Sequence, residues 1–580
     1  MKQRLILLGV AALAALAHVE ALGYWFVATD TITLTASSRV STVAGVAELF
    51  TQPLMAGTRF TKVALFYRPV ASLSHALDYA LWGVDPTGYH LTNLVIHGVA
   101  VALSALVVAA VTDSETGTLA GLLVALHPLT AEVVPSTARR HSLLMSVFLL
   151  SALLFLVRGR RRDSRWLLAG SVGAYALAVL TKELSLLFPG LVFAWVVLDE
   201  FAGVGTTSSR DVARAVRTAL RSFAPFVLVS VVYVGVRVAV LGGLGGYHRS
   251  PPLSLGIAVD VVVKYVLSLT YTRDLVTAAF GGVGRGPSLA VGAVLGLLAV
   301  ALVSLAVRHP RQRAGAIALA VVSGGLGSLP FVAVLADRAG LGTVLLGYPT
   351  PYSALVGAAF VATLVGGALF ALRALPSQRT LVDGGVGQPL AFFAVWLAAP
   401  VALFLISADY TMRNGYLFLT PAMGIVAVVF VTGARNVDFD ARELDASAAL
   451  TVIATVFVLS LAVTSPLVHN YDEWNTAGET NRLTLTTLEG ELAEAPDDTT
   501  VRISGIPHNV SAASGTFPRA QSPGYVREGT VESWIQLRTS NEVTVRIDSY
   551  TQLPRRPIGA SVTTERQNGT IAVELHYSYD

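Results

Sequence analysis

The sequence contains no cysteine, which excludes disulfides and any cysteine-based metal site and leaves the redox compartment open. Lysine is nearly missing as well: Lys2, Lys62, Lys182 and Lys264 are the whole complement. Charge of either sign is scarce. Only 13% of the 580 residues are charged, against roughly 25% in soluble domains, while 53% are hydrophobic and the mean hydropathy is +0.63. Most of such a chain must be solvated by lipid. The formal net charge of +4 is not a nucleic-acid signal, because the basic residues sit in short clusters between apolar runs and the segment after Asn470 is acidic.

What is present is a series of apolar blocks. The first, "LILLGVAALAALAHVEALGYWFV", follows Lys2 and Arg4 and has about the 20 residues a span requires. A charged start also fits a signal peptide, but the apolar core is long and no clean small-residue cleavage site follows it. A retained first span with a cytoplasmic N-terminus is expected. Further blocks begin near Leu91, Gly117, Ser142, Trp166, Ser185, Phe223, Ser288, Gly315, Tyr352, Ala391, Gly415 and Ala448, giving about thirteen spans, some marginal at roughly 17 residues. The basic clusters from Arg158, Arg210 and Arg308, with the loop holding Arg373 and Arg379, fall on one side if the spans alternate, which the positive-inside rule assigns to the cytoplasm.

The expected fold is therefore mainly α: a polytopic transmembrane helical bundle over residues 1–469, then a small C-terminal β-rich extracytoplasmic domain over 470–580. The β reading rests on "TTVRISGIPHNV", "ESWIQLRTSNEVTVRIDSY" and "TIAVELHYSY", short runs with period-two alternation between turn residues. Asn509 and Asn568 fit the glycosylation acceptor pattern. Two outer segments resist assignment as spans. Residues 29–89 form a first outer loop too long for a bare connection. Gly242 to Gly286 places Asp260 and Lys264 at i, i+4 spacing, which suits an interfacial helix.

Polar groups at membrane depth cost several kcal/mol each and are functional candidates by default. Here they gather on the outer side. Asp30 directly follows the first block, Arg68 opens "YRPVASLSHALDY", and His90, Asn93 and His97 share one helix face. "HPLTAEVVPSTARRH" adds His127, Glu132, Arg139, Arg140 and His141; "TKE" adds Lys182 and Glu183; "DYTMRNGYLFLTP" adds Asp409, Arg413 and Tyr416. Taken singly, a cation at a span end snorkels to head groups, and an Asn/His face makes interhelical hydrogen bonds. Neither explains an acid, several cations and several histidines on one side of different helices. Transfer from a phosphate-linked donor needs that combination: a base for the nucleophile and fixed positive charge for the departing phosphate.

At these residues the sequence resembles the polytopic protein O-mannosyltransferase family, in particular its TMTC-type members of the GT-C class. "FYRPVASLSHALDYALWGVDPTGYHLTNLVIH", "ALHPLTAEVVPSTARRHSLL" and "LTKELSLLFP" look like that family's segments over about Asp30 to Pro189, with a weaker echo at Arg413 to Gly424. The resemblance implies many spans, a long first outer loop and a lipid-phosphate-linked sugar donor. It implies Asp30 as catalytic carboxylate; Arg68, His90, Asn93, Glu132, Arg140, Lys182 and Glu183 as active-site or architectural residues; Arg413 as a donor-phosphate ligand, with Tyr416 beside it. It departs from the pattern where the family usually has two adjacent acids, since Thr29 stands beside Asp30. Arg139 replaces the family's glycine, Ser142 replaces an acid, and the tetratricopeptide tail of the animal relatives is missing.

The expected activity is an inverting glycosyltransferase that moves a sugar from a dolichyl- or polyprenyl-phosphate donor to a glycan or protein acceptor on the outer face, with mannose leading by association only. No cofactor and no essential metal are expected, and no nucleic-acid partner. The rival is a polytopic transporter or lipid-linked sugar flippase. Transporters show paired repeats and charges at the midplane, whereas this sequence shows no obvious repeat and its charges sit at span ends. A membrane-anchored binding protein serving the tail would leave the Asp30, Arg68 and Glu132 clusters without a task.

Overall fold

The computed structural model describes residues 2–27, 30–201, 208–247, 254–270, 285–308, 312–338, 387–407, 410–436, 446–463, 465–468, 472–510, 526–539, 541–554, 556–567 and 569–579. Apolar helices dominate. In chain order they begin with α1 (Lys2–Leu16), α2 (Asp30–Ser38), α3 (Val43–Glu48), α4 (Pro69–Trp82), α5 (Pro86–Val111) and α6 (Ser114–Leu126). There follow α7 (Arg140–Arg161), α8 (Arg165–Val179), α9 (Phe188–Phe201), α10 (Ser209–Leu241), α11 (Leu255–Thr270), α12 (Arg285–Arg308) and α13 (Arg313–Arg338). The last apolar helices are α14 (Gly387–Ser407), α15 (Leu419–Asn436) and α16 (Ala446–Val463).

Six stretches among the described residues are long and apolar enough to cross a membrane: Pro86–Val111, Thr137–Arg161, Glu183–Phe201, Ser209–Leu241, Gly387–Ser407 and Arg413–Arg435. The chain is a membrane protein. Other expected blocks form shorter apolar helices among the described residues, among them Gln3–Leu16, Ser114–Leu126 and Arg165–Val179. The block beginning near Tyr352 lies outside the described residues. The first block shows why length in sequence overstates length in structure. α1 ends at Leu16, and His18 then turns to share a 2.9 Å hydrogen bond with Thr130, so the chain continues as a 3-10 turn, Val19–Gly23.

The segment read as a loop over residues 29–89 is folded over its described residues rather than open. Pro69 and Pro86 each start a helix, where a missing N–H costs nothing, and the Asp85 side chain accepts the Thr87 N–H at 3.0 Å. Between α4 and α5 the chain reverses on Gly83 (φ +58°), bringing Trp82 over Gly88. A Cβ on Gly88 would lie 2.2 Å from the indole. Gly88→Ala is expected to cost roughly 1–3 kcal/mol as overpacking, read as a lower unfolding temperature of the purified protein, and Trp82→Ala in the same chain should restore much of it.

The outer segments are tied together. β1 (Ala64–Leu65) pairs antiparallel with β2 (Gly246–Tyr247), and Gly245, at φ +67°, has no room for a side chain because its Cβ would meet the Leu65 carbonyl oxygen at 2.5 Å. α11 packs on the bundle through one face: Val261, Tyr265 and Leu269 are in the main apolar core, and the Tyr265 hydroxyl donates to Leu397 O at 2.9 Å. The side chain of Asp260 lies outside the described residues.

The C-terminal segment is α/β rather than simply β-rich. A four-stranded sheet of order β5-β3-β8-β7, from β3 (Thr499–Ser504), β5 (Val543–Ile547), β7 (Gly559–Gln567) and β8 (Thr570–Ser578), is parallel except for the β7–β8 hairpin. β4 (Ile506–Val510) and β6 (Tyr550–Leu553) form a separate parallel pair. Two helices pack on it, α17 (Asp472–Leu492) and α18 (Glu528–Thr539). Their periodicity is plain in retrospect: Leu485, Leu488 and Leu492 on α17, and Val531, Trp534 and Ile535 on α18, are buried against Val501, Ile503, Val545, Ile571 and Val573. Frequent threonines in α17 and the run "ESWIQLRT" in α18 lend both a strand-like look. The same core takes in Phe26, Ile32 and Tyr89 from the membrane domain. The side chains of Asn509 and Asn568 lie outside the described residues.

Candidate functional site

The polar groups of α4 and the start of α5 meet those of α7 at Arg140. This arginine opens α7 and is wholly buried. Its Nε donates to Asn93 Oδ1 at 2.7 Å, its Nη2 to Tyr89 O at 3.0 Å, and its Nη1 to Ser74 Oγ and O at 3.2 and 3.3 Å. An ion pair with Asp78 completes the set. Asn93 in turn donates to Val134 O at 2.9 Å, and the Thr92 hydroxyl donates to Asp78 Oδ1 at 2.8 Å. Burial pushes the Asp78 carboxyl above its usual range, with Arg140 and Thr92 opposing. α4, α5 and the start of α7 are thus locked around one guanidinium whose donors are all used within the protein.

Before α7 the chain makes two 3-10 turns, Pro128–Glu132 and Thr137–Arg139. His127 sets the first: its Nδ1 accepts the Leu129 N–H at 3.1 Å, which leaves Nε2 to donate to Leu269 O at 3.0 Å. Within this segment Arg139 pairs with Glu132 at 3.0 Å and also donates to the Glu132 carbonyl. The Arg139 guanidinium lies 5.2 Å from the Trp474 ring, and the Trp474 indole N–H donates to Ala131 O at 2.9 Å. α17 therefore closes over the Glu132–Arg139 pair from above. A cation on a desolvated indole face contributes about 2 kcal/mol.

Asp30 opens α2, and its side chain lies outside the described residues. Its neighbour Thr31 fixes where that helix begins: the Thr31 oxygen accepts the Thr137 hydroxyl at 3.0 Å and the Ala138 N–H at 3.1 Å. The start of α2 is held against the turn that carries Arg139 and leads into Arg140.

A second cluster is basic. Arg68 makes a two-pronged pair with Glu183, at 3.0 and 2.5 Å, and its guanidinium lies 4.3 Å from the Phe66 ring. Arg237, within α10, stands 3.8 Å from the same carboxylate while donating to Leu244 O at 2.7 Å and to the Tyr233 hydroxyl at 3.0 Å. Lys182, 4% exposed, donates to Ser142 Oγ at 3.0 Å and Asn414 Oδ1 at 2.8 Å. Arg68, Arg139 and Arg413 all act on its charge, as does Glu183. His141 lies within the field of Arg68, Lys182 and Arg413. Among the described residues Arg413 makes no hydrogen bond or ion pair. Arg68, Arg139 and Arg413 thus lie within electrostatic reach of Lys182, beside two carboxylates, Glu132 and Glu183, each already paired to an arginine. Such a place attracts an anion, and a guanidinium without a protein partner offers it a two-pronged hydrogen bond.

The remaining residues of the sequence reading hold helices together. His90 reaches Trp25 O at 3.4 Å, and His97 Nδ1 shares a 2.6 Å hydrogen bond with the Tyr416 hydroxyl. Asp409 lies outside the described residues. Asp78, Arg237, Asn414 and Trp474 were not singled out as site residues. Arg237 had a signal, a lone arginine inside "VVYVGVRVAVL"; Trp474 and Asn414 had none, because only the folded chain brings them to the cluster. Among the described residues no three His, Asp or Glu side chains gather as a metal ion requires.

The fold and this cluster define a membrane protein with a buried basic cluster covered by residues 30–89 and by the C-terminal segment. No family model matches the chain. It resembles the protein O-mannosyl-transferases of the TMTC group: it is 34% identical over 128 residues to TMTC3 of Homo sapiens, covering 22% of this chain and 14% of that protein. It is 31% identical over 223 residues to Tmtc1 of Drosophila melanogaster, 37% of this chain and 25% of that protein. The match thus covers a quarter or less of these relatives' own length. Among solved structures, the oligosaccharyltransferase AglB from Archaeoglobus fulgidus, in complex with an inhibitory peptide and a dolichol-phosphate, is similar over 95% of this chain and 65% of that chain, at 14% identity and a TM-score of 0.43. ArnT from Cupriavidus metallidurans, bound to undecaprenyl phosphate, covers 93% and 85% at 16% identity and a TM-score of 0.37. Scores this low do not by themselves establish a shared fold.

Proposed function

We propose that the protein is an inverting glycosyltransferase which moves a sugar, mannose by analogy with its relatives, from a dolichyl- or polyprenyl-phosphate donor to a hydroxyl of a glycan or protein acceptor at the outer membrane face. The observation that carries this reading is the convergence of Arg68, Arg139, Lys182 and Arg413 on one site, with Arg413 unpaired among the described residues. The donor phosphate binds there, held by Arg413 and Lys182. Asp30 takes the proton of the acceptor hydroxyl as its oxygen bonds to the anomeric carbon. The bond from that carbon to the phosphate oxygen breaks, and the lipid phosphate leaves with the electron pair into the field of the cations. One displacement inverts the carbon.

Arg140, Asn93, His90 and Tyr416 form the frame of the site, Glu183 aims Arg68, and Glu132 aims Arg139. Residues 1–469 are the catalytic membrane domain and 470–580 an extracytoplasmic domain, with the N-terminus cytoplasmic. The polar stretches named above support this side assignment, since they meet at one end of α5 and α7 while the basic run from Arg158 lies at the other.

The test is transfer of labelled mannose from a polyprenyl-phosphate donor by membranes containing the chain, to endogenous glycan or protein. Label reaching an acceptor only when the chain is present supports the reading. No transfer from a range of polyprenyl-phosphate sugars, in membranes shown to hold folded protein, overturns it. Arg413→Gln is expected to raise the donor KM roughly ten- to hundredfold, the loss of one charge-assisted contact, without lowering the unfolding temperature, because Arg413 holds no other described residue. An unchanged donor KM would remove Arg413 from the phosphate site.

A further inference from the structure

The opposite end of the bundle holds a second basic site. A cavity of about 250 Å³ opens between the start of α1, the ends of α5 and α7 and the start of α6, and Arg158, Arg161, Arg162, Gln3 and Ser114 line it together with Leu106. Arg140 and Arg161 stand at opposite ends of the 22-residue α7, roughly 30 Å apart at 1.5 Å per residue. This cavity is therefore separate from the cluster described above.

Its charges are not neutralised locally. Arg160, on the next face of α7, is committed to Asp199 and Glu200 at 3.5 and 3.0 Å. Asp113 and Glu115, on either side of Ser114, are both taken by Arg435 of α15, at 3.0 and 2.7 Å, and Asp163, next to Arg162, makes no ion pair among the described residues. Arg158, Arg161 and Arg162 make no side-chain hydrogen bond or ion pair among the described residues. Three like charges around one cavity repel one another, and an anion bound among them would relieve that repulsion. The wall supplied by α5 is apolar, through Leu106, Ala109 and Ala110, and it belongs to a helix long and apolar enough to cross a membrane.

We infer that this cavity binds a phosphate group, and that the group is the head of an anionic membrane lipid whose chains run along the α5 wall. Basic pockets between spans suit such heads, and each arginine near a membrane surface contributes about a fivefold gain in affinity. The inference does not depend on the transfer reaction.

The experiment uses the full chain purified in neutral detergent. Its unfolding temperature and the lipid it retains in native mass spectrometry are measured with phosphatidylglycerol, with phosphatidylcholine and with inorganic phosphate. The expected result is stabilisation and retention with phosphatidylglycerol and neither with phosphatidylcholine. R158Q/R161Q/R162Q should abolish both effects. R162E, at an exposed position that leaves the fold alone, should weaken phosphatidylglycerol binding roughly tenfold or more. Equal responses to the two lipids, or an R162E chain that binds phosphatidylglycerol like the native one, would overturn the inference. An equal shift with inorganic phosphate alone would overturn the lipid assignment.

Discussion

Arg140→Met is expected to be the most damaging single substitution in the membrane domain. It removes a guanidinium that touches Asp78, Asn93, Tyr89 and Ser74 at once and strands Asp78, whose side chain is 3% exposed. Breaking a buried ion pair by deleting one partner costs about 3–5 kcal/mol, whereas replacing both by apolar groups is often neutral. The double variant Arg140→Met, Asp78→Leu should therefore recover much of what the single one loses. The pH dependence has a definite sign. The folded Asp78 carboxyl is raised by burial, and losing Arg140 removes the main influence opposing that rise. A group with a raised folded pKa binds more protons folded than unfolded, so its ionisation destabilises the fold as pH increases. The single variant should regain stability as pH falls from above the raised value of Asp78 toward about 4, the ordinary value for aspartate. The check is the unfolding temperature of native, single and double variants across that range. A single variant as stable as the native chain would show that Arg140 is not the latch of this region.

Asp30→Asn is expected to have the largest effect on turnover. A positioned general base supplies roughly a hundredfold to ten-thousandfold, and that is the loss anticipated in sugar transfer. Folding should survive, because asparagine is as good as aspartate at the start of a helix and because the position of α2 is set by Thr31, through Thr137 and Ala138. The measurement is the initial rate of transfer at saturating donor, beside the unfolding temperature. A variant with normal rate would take the base role from Asp30, and an unfolded one would show that the residue serves the frame.

The apolar blocks were legible because lipid imposes length and composition on each helix. Their starts near Leu91, Ser142 and Ala391 fall inside α5, α7 and α14. Helix length was overread where a polar residue ends the helix early, as His18 does after α1. In the tail, strands β3, β5 and β8 were readable from alternation, but α17 and α18 were not, because β-branched residues cover their 3.6-residue period. At the site, the motifs brought Arg68, Glu132, Arg140, Lys182 and Glu183 to notice. What sequence could not give was pairing: that Glu183 belongs to Arg68, Glu132 to Arg139 and Asp78 to Arg140 depends on helix packing across more than a hundred residues in the first case.

The way the C-terminal segment grips the membrane domain bears on how the protein is made. Trp474 seals the turn at Ala131, Asn481 donates to Phe26 O at 3.2 Å, and Glu532 accepts from Arg59 at 3.0 Å. These partners are separated by several hundred residues of synthesis, and at about 5–20 residues per second the bundle waits tens of seconds between its first outer loop and the segment that covers it. Through that interval the basic site stands uncovered. A nascent chain halted before Asp472 is then a bundle without its roof, so a segment made later completes what the first part began.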